Sequence, residues 1–278
     1  MSKFLNKVLA LVGVVMLFGM NVMPVFAKVD FVGEENVDLT NKVYEDDVMI
    51  SGAFVNGDFE VTGDSFVVGS ILEFSGTFGD DMNVAGGQVS LSGEIADDLW
   101  MAGGTVDLDA IVGSDAFLAG GQVTISKDTV IADQLYVVGG MVRLFGTVNG
   151  DVYLGAGQAV ISGVVNGDLV INAEDISISD TAQINGNLIY KSNSEIKDLN
   201  KDNITGTVEY SPITEIDLTS VNANIGAVGG LAAGAGIIAK ITGFIVGLLM
   251  LFVVGLAMII VLPGFSHRTS KYFTNNIG

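Results

Sequence analysis

Acidic and amide side chains recur at one position of a repeat: Asp58, Asp81, Asp98, Asp115, Gln134, Asp151, Asp168 and Asn187. Taken as position zero, they are spaced by 23, 17, 17, 19, 17, 17 and 19 residues. Carboxylates stacked about 5 Å apart repel one another, which raises their pKa values or recruits a hard cation such as calcium. The same column, however, holds the uncharged Gln134 and Asn187, and the residue before it is always Gly, Asp or Ser, a set suited to a tight corner. The simpler expectation is a side chain that hydrogen-bonds its own turn. On that reading there are no catalytic, cofactor-binding or metal residues, and no cofactor.

Other chemistries narrow quickly. The chain has no cysteine, and its one histidine, His267, lies beyond the last apolar segment. Thiolate sites, Ser-His-Asp hydrolysis and imidazole-bound zinc are therefore excluded from the repeats. The double glycines Gly86-Gly87, Gly103-Gly104, Gly120-Gly121 and Gly139-Gly140, two of them followed by Gln88 and Gln122, recur at a corner and do not open a helix. They lack the context of a phosphate loop and the third glycine and Asp of a calcium-binding nonapeptide. Lys127 and Arg143 are the only basic residues between Lys42 and Lys191, and no long loop is present to build a lyase cleft. The chain is expected not to be an enzyme. Trp100, Phe117, Tyr136 and Tyr153 all stand two residues after position zero, facing outward. They are expected to form a cross-coil stacking ladder, the alternative being a stripe for sugar rings or another protein.

Five uncharged, mostly apolar columns position these residues. Three before position zero stand Val55, Phe78, Ile95, Val112, Ile131, Val148, Val165 and Ile184. One after it come Phe59, Met82, Leu99, Ala116, Leu135, Val152, Leu169 and Leu188, and three after it Val61, Val84, Met101, Leu118, Val137, Leu154, Ile171 and Tyr190. Eight and ten after it, the pairs run from Phe66/Val68 and Val89/Leu91 to Ile176/Ile178. Spacing by two is that of a strand with one buried face. The gaps hold turn residues such as Asn149-Gly150, Asn166-Gly167 and Asn185-Gly186, which suit corners with positive φ. Three short strands and three corners per repeat make one coil of a three-sided parallel β-helix of about 17 residues. The fold class is thus all-β, with a C-terminal transmembrane helix added by the features below.

Residues 1–27 read as a signal peptide: Lys3 and Lys7, an apolar stretch from Val8 to Met20, then Val25-Phe26-Ala27 as cleavage site. Residues 28–47 are expected to cap the repeat domain, 48–211 to form it, and 212–238 to be a linker. The transmembrane helix is placed at 239–265, because Ile241 to Phe265 carry no charge. Arg268 and Lys271, against Lys240 before the span, put the tail 266–278 in the cytoplasm and the repeats outside. From Lys28 to Asp217, seven basic residues stand against 32 acidic ones, a net charge of −25. That surface repels nucleic acid.

The phrases Gly146-Thr-Val-Asn-Gly-Asp-Val152 and Gly163-Val-Val-Asn-Gly-Asp-Leu169, interleaved with Gly-Gly-Gln-Val, resemble the bactofilins over Val48 to Tyr210. The resemblance is to the exported, membrane-anchored relatives. It implies a right-handed β-helix able to polymerise, without enzymatic activity or bound nucleotide, and further hydrophobic segments after Gly278. The expected function is a membrane-anchored extracytoplasmic scaffold of the bacterial envelope that associates through its end coils. The alternative is a non-catalytic binding module for wall or surface polysaccharide. Expected partners are the lipid bilayer and a homo-polymer or an envelope protein or glycan, with no nucleic acid.

Overall fold

The computed structural model describes residues 29–213. The signal segment, most of the linker, the apolar span at 239–265 and the tail lie outside the described residues. Among the described residues no helix is long and apolar enough to cross a membrane.

The chain winds into a parallel β-solenoid of about 11 turns with about 17 residues per turn. Its strands are β1 (Asp30–Gly33), β2 (Asn36–Asp38), β3 (Lys42–Tyr44), β4 (Val48–Val61), β5 (Ser65–Phe78), β6 (Met82–Ile95), β7 (Leu99–Val112), β8 (Ala116–Ile125) and β9 (Val130–Ile131). They continue as β10 (Leu135–Leu144), β11 (Thr147–Val148), β12 (Val152–Ile161), β13 (Val164–Val165), β14 (Leu169–Ile178), β15 (Gln183–Ile184), β16 (Leu188–Ser192) and β17 (Val208–Pro212). Every strand pairs in parallel with its equivalent one coil away, so Val48 aligns with Ser65, Met82, Leu99 and Ala116 in turn. The inward columns form one continuous core; in β6, Met82, Val84, Val89, Leu91 and Ile95 are all buried. Each such side chain contributes roughly 2 kcal/mol of gross burial energy.

The register differs from the sequence reading at the N-terminal end. Asp58 aligns with Ser75, and position zero in that coil is Asp64, preceded by Asp47. The spacing of 23 therefore disappears: Asp47, Asp64 and Asp81 lie 17 apart. Phe66 and Val68, expected inside, face out with 39% and 47% exposure, and Leu72 and Phe74 fill their columns instead. The error has a physical origin. Phe59 points inward at the place where the next coils carry Gly76 and Gly93, while Gly57 stands opposite Phe74. Bulk is exchanged between adjacent columns, and Phe59, Phe74 and Phe78 meet at centroid distances of 5.2–6.2 Å.

Residues 30–47, expected as a cap, form a further coil. β1, β2 and β3 all pair with β4, burying Val37 and Leu39. At the other end Ile176 and Ile178 are only half-buried. Their would-be cover leaves the coil after Ser192, and β14 pairs with β16 only as far as Asn172 and Lys191. Pro212 closes β17, opposite Ser192. The two 19-residue coils carry their extra residues in turns at Lys127-Asp128 and Asp180-Thr181, where Thr129 Oγ1 donates to the Leu108 carbonyl at 2.9 Å. Ser65, inward and fully buried, has a hydroxyl with no hydrogen-bond partner among the described residues.

Glycines serve two purposes. Gly57, Gly76 and Gly93 adopt positive φ, of 127°, 154° and 115°. The corners at Asn149-Gly150, Asn166-Gly167 and Asn185-Gly186 do not, contrary to expectation. There a Cβ on Gly150 would sit 2.7 Å from the Asp133 carbonyl oxygen, and one on Gly167 2.7 Å from that of Gly150. Close approach of successive coils, not handedness, excludes the side chain. At Gly93 both constraints coincide, since a Cβ would also strike the Gly76 carbonyl. Gly93→Ala is expected to destabilise the solenoid by more than about 2 kcal/mol, read as a lowered urea midpoint.

Candidate functional site

The position-zero column forms a ladder that joins coil to coil. The Oδ1 of Asp47 accepts the amide of Asp64 at 3.0 Å, Asp81 that of Asp98 at 3.2 Å, and Asp98 that of Asp115 at 3.0 Å. Asp115 accepts from Gln134 at 2.9 Å, Asp151 from Asp168 at 2.8 Å, and Asp168 from Asn187 at 2.7 Å. Asn187 Oδ1 in turn accepts from Thr207 at 2.9 Å. Each side chain thus serves the corner of the next coil, not its own turn as expected. At Gln134 the longer side chain turns aside and accepts from the Tyr136 hydroxyl. A neighbouring amide ladder links Asn149, Asn166 and Asn185 through Nδ2-to-Oδ1 bonds of 2.9 and 2.7 Å.

The electrostatics follow from partial burial. Burial is the largest influence on Asp64, Asp81 and Asp115 and pushes all three carboxyls up. Neighbouring carboxylates add to the rise, and the accepted amides oppose it. Asp38, at an exposed turn, is lowered by the hydrogen bonds from Thr40. Carboxylate oxygens of Asp80, Asp81 and Asp97 lie within 4.8 Å of one another. They could supply three of the six to eight oxygens a calcium ion takes. Asp81 belongs to the column singled out in the sequence; Asp80 and Asp97 precede the column residues of successive coils.

The aromatic residues expected as a ladder stack face to face. Trp100 and Phe117 lie 3.7 Å apart at 6°, Phe117 and Tyr136 4.9 Å at 2°, and Tyr136 and Tyr153 5.1 Å at 13°. The faces of Phe117 and Tyr136 are covered on both sides, so these rings turn edges outward. A sugar platform needs open ring faces. Burial, reinforced by nearby carboxylates, raises the hydroxyl pKa of Tyr136 and Tyr153. Lys127 pairs at 4.0 Å with its neighbour Asp128. Arg143 stands on β10 opposite Thr124 and Val160.

The site feature that sequence reasoning missed is a groove of about 320 Å³ at the C-terminal end. It lies between the uncovered run Glu174–Ile178 and the segment 194–198, with Ile176, Ile178 and Ile196 on its walls. Loss of pairing after Lys191 creates it, and the polar run Ser192-Asn193-Ser194 was its only signal in the sequence. Comparison with protein-family models, curated proteins and solved structures returns no match.

Two outcomes follow from the ladder. Asp98→Asn keeps the acceptor for Asp115 and removes a charge, so its urea midpoint should equal or exceed that of the parent. Asp98→Ala leaves a partly buried amide unpaired and should lose about 1–2 kcal/mol. The pH dependence is also set. The folded state binds protons to Asp64, Asp81 and Asp115 more tightly than the unfolded chain, so stability falls as pH rises through their titration. Thermal midpoints should therefore rise as pH is lowered from neutrality toward the ordinary carboxylate range, as these protons bind. A steady fall over that interval would contradict the assignment.

Proposed function

We propose that this chain is a structural protein resembling the exported bactofilins: an acidic β-helix, three-sided and right-handed, held outside the bacterial cytoplasmic membrane. The uncharged span Ile241 to Phe265 anchors it, and it works as an envelope scaffold that associates end to end. No reaction is assigned to it.

The observation that carries this reading is the state of the two end coils. Among the described residues, β1, β2 and β3 each pair on one side only, with β4. At the far end, among the described residues, the run Asp175–Ile178 has no strand on its outer side, and β17 pairs only with β16. Both ends therefore offer parallel strand edges of the same coil geometry. Such edges invite pairing unless covered, and a head-to-tail contact of this kind does not close on itself, so it propagates. The acidic faces disfavour side-to-side contact where they meet, whereas the ends offer unpaired backbone to join.

Electron microscopy of the full chain in mild detergent should show filaments whose length grows with protein concentration. Discrete particles of constant size at the highest attainable concentration would contradict end-to-end association.

A further inference from the structure

Two outward columns run side by side along the solenoid. Two residues after position zero, from Phe31 to Val170, the column is aromatic or aliphatic in every coil except at Asn83. Four residues after it, from Gly33 to Asn172, each residue is uncharged and none is aromatic. No charge enters either column over nine coils, although residues 28–217 carry a net −25. Phe31 is 72% exposed and Met49 42%. A face needed only for solubility would carry charges here as the others do.

We propose that this face packs against the same face of a second copy, the two solenoids running parallel about a twofold axis along their length. Area permits it. Nine coils about 4.8 Å apart and a strip about 14 Å wide give roughly 600 Å² per copy, about 1,200 Å² in all, the lower bound of specific interfaces.

Shape and charge choose the parallel arrangement. A twofold axis along the solenoid lays the first column of one copy over the second column of the other. Trp100 then meets Ala102, Phe117 meets Ala119 and Tyr153 meets Gly155, large against small at these three levels. The face is bordered on one side by the acidic ladder and on the other by neutral residues such as Gln88, Thr105 and Gln122. In the parallel pair each acidic border lies over a neutral one. In the antiparallel pair, aromatic column meets aromatic column and the two acidic borders face each other, which repels. Because the stacked rings present edges, a flat protein face suits them better than a sugar ring does.

Lateral pairing is independent of end-to-end association, because it yields a discrete dimer and uses no strand edge. The chain has no cysteine, so a single Ala119→Cys reports this face alone. In the full chain in mild detergent, a bismaleimide spanning about 10 Å, the separation of face-packed sheets, should cross-link it to a dimer. Asp107→Cys, exposed in another column, should yield at least tenfold less. Adding Ala102→Glu to the Ala119→Cys chain should cut the dimer at least tenfold while leaving the thermal midpoint within about 3 °C. Equal yields at the two positions, or no dimer at Ala119→Cys, would overturn the pairing. Shielding of Ala119→Cys from a water-soluble maleimide without any cross-link would give the face to lipid or detergent, and would overturn it as well. Filaments that persist in the Ala102→Glu chain would show the end-to-end contact standing without the lateral one.

Discussion

Everything in this solenoid depends on one constraint: no coil can satisfy its own backbone. The strands of each turn leave their amides and carbonyls facing along the axis, and only the neighbouring turn can pair them. A shift by one residue would turn every inward side chain outward, so the register must be held over each coil. The inward columns hold it by burial. The position-zero ladder holds it by hydrogen bonds, with Asp81, Asp98 and Asp115 each gripping a corner of the next coil. Carboxylates tolerate this crowding because each accepts an amide, though partial burial and mutual repulsion raise the pKa of several.

Much of the core was legible in the sequence because period and burial coincide. From Met82 to Tyr190 the inward columns stand where the spacing put them, apart from Ile176 and Ile178. The N-terminal coils misled, because Asp58-Phe59-Glu60-Val61 reproduces the local pattern of polar residue, apolar, any, apolar. That phrase is inward for a different reason: Phe59 fills space that Gly76 leaves in the next coil. A local motif cannot reveal a trade of volume between coils. The Asp column was visible for the same reason as the core, but its bonding partner was not. A side chain bonded 17 residues along the chain looks, in sequence, like one bonded to its own turn.

The glycines teach a related lesson. Asn-Gly pairs suggest left-handed corners, yet at Gly150 and Gly167 the demand comes from a carbonyl of the preceding coil. Packing of coils, a property of the array, overrides the conformational preference of the dipeptide. The surface divides along the same lines. The acidic corners serve stacking, the aromatic column reinforces it, and the uncharged strip beside that column is not required by the stack at all. Function is therefore sought at the uncovered ends and along that strip.

Residue-resolved amide hydrogen exchange tests the central constraint most directly. The corner amides of Asp98, Asp115, Gln134, Asp168 and Asn187 should exchange as slowly as strand amides of the same coils, with protection declining toward both ends of the solenoid. Corner amides exchanging at the rate of free peptides, while the strands stay protected, would show that the side-chain ladder does not join the coils.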